Sequence, residues 1–83
     1  MTLIFKITTT DGHIRHFSFT EHKSEGDYGN KTYISVQRQE DRENMAYLDV
    51  RYIYPYDFKT VCENYIKDYF GTRLAAFQLN ALI

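Results

Sequence analysis

YDFKTVCENYIKDYFG, from Tyr56 to Gly71, is the stretch whose apolar residues keep a helical rhythm throughout. Phe58, Val61, Cys62, Tyr65, Ile66, Tyr69 and Phe70 recur at spacings of three and four, which puts them on one face. Lys59, Thr60, Glu63, Asn64, Lys67 and Asp68 fill the other face. Asp57 suits the N-cap, where a carboxylate accepts from free N–H groups of the first turn. Tyr56 is placed to pack on Val61 as a hydrophobic staple. Glu63 and Lys67 make a favourable i, i+4 pair. Gly71 suits the left-handed residue that ends a helix. A helix this short is marginal alone in water, so its apolar face needs a surface to lie on.

The strands before it supply that surface. Thr2 to Thr9 alternates, with Leu3, Phe5 and Ile7 on one face. Asp11-Gly12 is a turn signal, and His13 to Thr20 is a second strand. A two-residue loop at Asp11-Gly12 would set Leu3, Phe5 and Ile7 opposite Thr20, Ser18 and His16. A three-residue loop, Thr10-Asp11-Gly12 with Gly12 left-handed, sets Phe5 opposite Phe17 and Leu3 opposite Phe19. That choice makes one face apolar, so it is the expected one. The outward face then carries Ile4, Lys6, Thr8, Ile14, His16 and Ser18.

Glu21 to Lys31, polar and with two glycines, reads as a long hairpin loop. Thr32–Gln39 and Met45–Tyr54 read as two further strands joined by the charged turn EDREN. Centring that turn on Arg42 pairs Ile34 with Val50 and Val36 with Leu48. The outward face then pairs Tyr33 with Arg51, Ser35 with Asp49 and Gln37 with Tyr47. Pro55 is expected to end the strand. The tail from Thr72, TRLAAFQLNALI, is helical by propensity. Yet Ala75, Phe77, Leu79, Ala81 and Ile83 also alternate as a strand does. A second short helix is the first expectation and a fifth strand the alternative.

Composition narrows the class. Eighty-three residues make one α+β domain over residues 1–83. The chain is 43% hydrophobic and 17% aromatic, which sets it apart from disordered sequences. Its core is thin for its surface, so a partner is a ready source of added stability. A formal net charge of -1 argues against general attraction to nucleic acid or anionic membrane. One cysteine forms no internal disulfide, no signal-peptide pattern follows Met1, and no apolar run spans a bilayer. A cytoplasmic setting is the expectation.

No catalytic, metal or phosphate-binding motif stands out, so no enzyme, metal or cofactor is expected. His13 and His16 are three apart on a strand and point to opposite faces, and His22 lies in the expected loop. Cys62 sits on the buried helix face, where a thiol is inert. Asp57 is explained by capping, and Asp49 by exposure.

The open sheet face is the candidate site, with Ile4, Lys6, Ile14, His16, Tyr33, Tyr47, Arg51 and Ile53 as interface residues. Tyr, Arg and Ile are enriched in protein interfaces. The expected role is a non-catalytic interaction module, with another protein or a second copy as partner. Aromatics interleaved with cations also suit single-stranded nucleic acid, which is the alternative.

Overall fold

The computed structural model describes residues 1–26 and 29–83. The elements are β1 (Thr2–Thr9), β2 (Ile14–Gly26), β3 (Gly29–Arg38), β4 (Glu43–Asp49), α1 (Phe58–Phe70), a 3-10 turn (Gly71–Arg73) and β5 (Leu74–Leu82). The strands form one antiparallel sheet in the order β4-β3-β2-β1-β5. The domain is α+β, with α1 packed on one sheet face.

The first hairpin closes as its face pattern requires. Leu3 pairs with Phe19 and Phe5 with Phe17. Gly12 stands at φ 86°, the left-handed region that a three-residue loop needs. Thr9 and His13 close the loop with a backbone hydrogen bond of 3.0 Å. One face therefore collects Leu3, Phe5, Ile7, Phe17 and Phe19, all buried.

Helix α1 crosses that face. The Asp57 carboxylate accepts from the Thr60 N–H at 3.0 Å and from its hydroxyl at 2.7 Å, which fixes the start. Gly71, at φ 55°, donates its N–H to the Lys67 carbonyl at the other end. Phe58, Cys62, Ile66 and Phe70 are buried between helix and sheet. Phe17 meets Phe70 with ring centroids 5.5 Å apart, and Phe19 meets Tyr65 edge-on at 5.9 Å. Lys67 lies over the Phe77 ring at 5.9 Å, and no Glu63–Lys67 ion pair forms among the described residues. Below the helix start, the Tyr56 hydroxyl donates to the Glu21 carboxylate.

Three expectations are corrected. The expected loop Glu21–Lys31 is largely strand: β2 runs to Gly26 and β3 begins at Gly29, and the two pair down to Gly26–Gly29. Backbone hydrogen bonds carry this extension, so no apolar alternation marks it in the sequence. Asp27 and Tyr28, part of the same expected loop, lie outside the described residues. At about 3.3 Å per residue, the 13 residues of β2 reach roughly 43 Å, which accounts for the 47 Å long axis of the molecule.

The second correction is the β3–β4 register. Ile34 pairs with Leu48, Val36 with Ala46, Tyr33 with Asp49 and Ser35 with Tyr47, two residues from the expected match. A shift between Val36 and Gln37 then pairs Gln37 with Asn44 and Arg38 with Glu43. Arg42, at φ 56°, turns the chain, and Arg38 ties the turn to Asp41 and Glu43. Strand β4 ends at Asp49, well before Pro55. The Asp49 carboxylate accepts the Arg51 N–H at 3.0 Å and bends the chain out of the ladder. Val50 still reaches the core and is buried.

The third correction is the tail, where the first expectation of a helix gives way to the alternative, a fifth strand, β5. It pairs with β1 from Leu3–Leu82 to Thr9–Leu74. Without it, the free side of β1 would leave a row of backbone donors and acceptors beside the core, and that need outweighs the helix propensity of Ala, Leu and Gln. A register shift between Ile4 and Phe5 puts Leu82, rather than Ala81, opposite Leu3, and another between Thr8 and Thr9 puts Leu74 opposite Thr9.

Candidate interaction surfaces

The face away from α1 is a polar ladder. Thr2 and Thr20 hydroxyls lie 3.0 Å apart, and His22 Nε2 lies 2.8 Å from Ser35 Oγ. Ser18, buried in mid-face, reaches the Gln37 carbonyl at 3.5 Å. Six of the eight expected interface residues are on this face, but they do not form one patch. Ile4 stands between Ser18 and Ala81, and Lys6 between His16 and Gln78. The backbone N–H of His16 donates to Glu40 Oε1 at 2.6 Å, and its ring Nδ1 lies 3.1 Å from the same oxygen. Ile14 is exposed at the start of β2. The Thr20–Ser35 and Ser18–Gln37 pairs separate these residues from Tyr33 and Tyr47.

Tyr33 and Tyr47 form a second cluster on β3 and β4, with rings 6.2 Å apart. Tyr33 stacks on His22 at 4.6 Å with 9° between planes, and Lys31 lies 5.8 Å over Tyr33. His22 is thus a strand residue on this face, where the sequence reading had it in a loop.

Arg51 and Ile53 leave the outer face, because β4 ends before them. Arg51 pairs with Asp49 at 2.7 Å in the turn after β4, and this pairing holds the Asp49 carboxyl below its usual range. Ile53 lines a groove of about 490 Å³ beside α1, with Leu48, Val61 and Tyr65. Its neighbours Tyr52 and Tyr54 are 86% and 97% exposed, and sequence reading missed them by assigning them to a strand.

The two sheet edges are the remaining surfaces. On β5, Phe77 packs on Phe5 with ring centroids 6.2 Å apart, while Leu79 and Leu82 on the same side are 41% and 62% exposed. No charged residue occurs from Leu74 to Ile83. Among the described residues no strand pairs with the outer side of β5. Its alternating apolar residues signalled this edge in the sequence, but the preference for a helix hid it.

Among the described residues the three histidines stand apart from one another. His13 lies 3.0 Å from Asp11, His16 contacts Glu40, and His22 contacts Ser35. Burial pushes the Cys62 thiol up to about 12, so it stays protonated and unreactive at neutral pH. Among the described residues no helix is long and apolar enough to cross a membrane.

These features define a small α+β domain: one helix on a five-stranded antiparallel sheet in which β1 to β4 form a meander and β5, after α1, returns beside β1 as an open edge. Comparison with known proteins found no family model, curated protein or solved structure that matches the chain.

Proposed function

We propose that this protein is a non-catalytic cytoplasmic interaction module that self-associates by pairing β5 with β5 of a second copy. The observation that carries the reading is the free edge of β5 among the described residues: nine residues long, uncharged, and bearing exposed Leu79 and Leu82. Such an edge offers a row of backbone donors and acceptors to an added strand. A second copy fits it well. Antiparallel β5–β5 pairing is two-fold symmetric, so the same patch serves both sides. With no charge along the strand, no like charges meet across the axis. The pairing would run one sheet through both copies and cover apolar surface that a thin core leaves exposed. The cytoplasmic setting rests on a single, buried, unpaired cysteine. Sedimentation over a range of concentrations tests the reading: a monomer–dimer equilibrium supports it, and a monomer throughout removes it.

A second reading concerns another protein at the opposite corner. Exposed Tyr47 lines the same groove as Ile53, Tyr52 and Tyr54 flank Ile53 in the chain and are exposed, and tyrosines of this kind supply much of the energy in interfaces. Capture of a partner from the native host by wild type, and its loss with Tyr52→Ala plus Tyr54→Ala, would support it. Single-stranded nucleic acid on the outer face has less support. Tyr33 already stacks on His22, and Asp49 offsets Arg51 beside it.

A further inference from the structure

The chain has five arginines, and three of them, Arg15, Arg38 and Arg73, line one cavity of about 410 Å³. They come from β2, β3 and the 3-10 turn, so only the fold brings them together. The cavity lies where the β1–β2 turn meets the end of α1, and Phe17, Tyr69 and Phe70 form its apolar wall.

The three guanidinium groups differ in what they already hold. Arg38 is committed: Nε donates to Asp41 Oδ1 at 2.9 Å, and Nη2 reaches both Asp41 and Glu43. Among the described residues the Arg15 guanidinium donates only to the Ile14 carbonyl, at 3.0 Å. Arg73 donates only to the Tyr69 carbonyl, at 3.5 Å, and its guanidinium lies 5.8 Å from the centre of the Phe70 ring. Among the described residues neither Arg15 nor Arg73 has a carboxylate partner. The acid in the lining, Asp11, is occupied by the Thr9 hydroxyl and by the backbone N–H and ring of His13. The carbonyl end of α1 also faces this region, but Gly71 takes the Lys67 carbonyl and Arg73 takes that of Tyr69. Two uncommitted guanidinium groups beside an aromatic wall therefore remain, in a chain whose net charge is -1.

We propose that this cavity binds a small organic anion, with a phosphate or carboxylate group on Arg15 and Arg73 and an apolar body against Tyr69 and Phe70. A guanidinium fork matches two oxygens of either group, and such charge-assisted bonds are stronger than neutral ones. The volume exceeds what an inorganic ion fills, and the wall favours a ring or short chain attached to the anion. The site is separate from the free edge of β5, so failure of one proposal leaves the other standing.

The test is calorimetric titration at constant ionic strength with three probes: inorganic phosphate, phenyl phosphate and benzoate. Phenyl phosphate or benzoate is expected to bind saturably, and more tightly than inorganic phosphate. Tighter phenyl phosphate identifies phosphate as the preferred head group, and tighter benzoate identifies carboxylate. Arg15→Gln with Arg73→Gln is expected to weaken the better probe at least about tenfold, which the loss of one of the two charge-assisted contacts would already give. Arg73→Gln alone, on an exposed turn that carries no core residue, should weaken it in the same direction. Arg51→Gln, outside the cavity, should leave binding unchanged. No saturable binding of any probe to wild type, or equal binding by wild type and the Arg73→Gln protein, overturns the proposal.

Discussion

Strands β4 and β5 are both edges of one sheet, yet they are finished in opposite ways. Strand β4 is seven residues long, carries Glu43 and Asp49 at its ends, and has a register shift beside Val36. Charges, short length and irregular pairing are the devices that keep an edge from accepting another strand. Strand β5 is nine residues long and has none of the charges. Its register shifts lie in the pairing with β1 and put no charge on the free side. Self-pairing therefore belongs to β5, while the β4 side offers side chains: Tyr47 on the strand and Tyr52 and Tyr54 beyond it.

The largest effect should come from the core that holds both edges in place. Ile66, on the sheet-facing side of α1, is fully buried. Ile66→Ala is expected to cost about 2–5 kcal/mol in denaturant unfolding, with Lys59→Ala on the exposed face close to neutral. Equal losses at the two sites would mean that α1 does not bury the face assigned to it.

Next comes the edge itself. Ala76→Lys with Gln78→Lys places two cations near the middle of β5 on the sheet face away from α1, beside Thr8 and Lys6. Like charges would then meet across the two-fold axis, and association should weaken about 100-fold, or roughly 2–3 kcal/mol. Tyr47→Lys puts a cation on β4 instead and should leave self-association as it was. A loss of dimer from the β4 change with none from β5 would reverse the assignment of the two edges.

A smaller effect is expected at the first hairpin, which positions β1 to receive β5. Gly12 has φ 86°, and no atom would meet an added Cβ within 4 Å. The cost of Gly12→Val is therefore one of backbone conformation alone, about 1–2 kcal/mol by thermal or denaturant unfolding. Unchanged stability would show that the turn does not require the left-handed residue.

The last effect appears only in alkali. The Cys62 thiol is raised from 9.0 to about 12 by burial, so above pH 9 the unfolded chain releases this proton before the folded one does. Stability should fall as pH rises from about 9 towards 12. Cys62→Ala should flatten that slope, whatever it costs at neutral pH. An equal slope in both proteins would place the alkaline loss elsewhere, with the half-buried Tyr56 hydroxyl as the next group to examine.

What the sequence revealed depended on how local the signal was. Helix α1 was legible because its cap, apolar face and terminal glycine lie within sixteen consecutive residues, 56–71. The first hairpin was legible because one loop length alone places Phe5 opposite Phe17. The β2 extension was hidden, since Glu21–Gly26 pairs through its backbone and has no apolar alternation. The end of β4 was hidden in one Asp49 turn, and with it the positions of Arg51 and Ile53. The tail was ambiguous because helix propensity and strand alternation coexist in LAAFQLNAL, and only pairing with β1 decides between them. The arginine cavity had no sequence signal, because its members are brought together from three separate elements.

Sedimentation equilibrium of the wild-type chain over micromolar to submillimolar concentrations, beside the Ala76→Lys, Gln78→Lys variant, tests the role of β5 most directly. The expected result is a concentration-dependent dimer for wild type and a monomer of unchanged fold for the variant. A wild type that stays monomeric at the highest concentration, or a variant that dimerises as wild type does, would contradict self-association through β5.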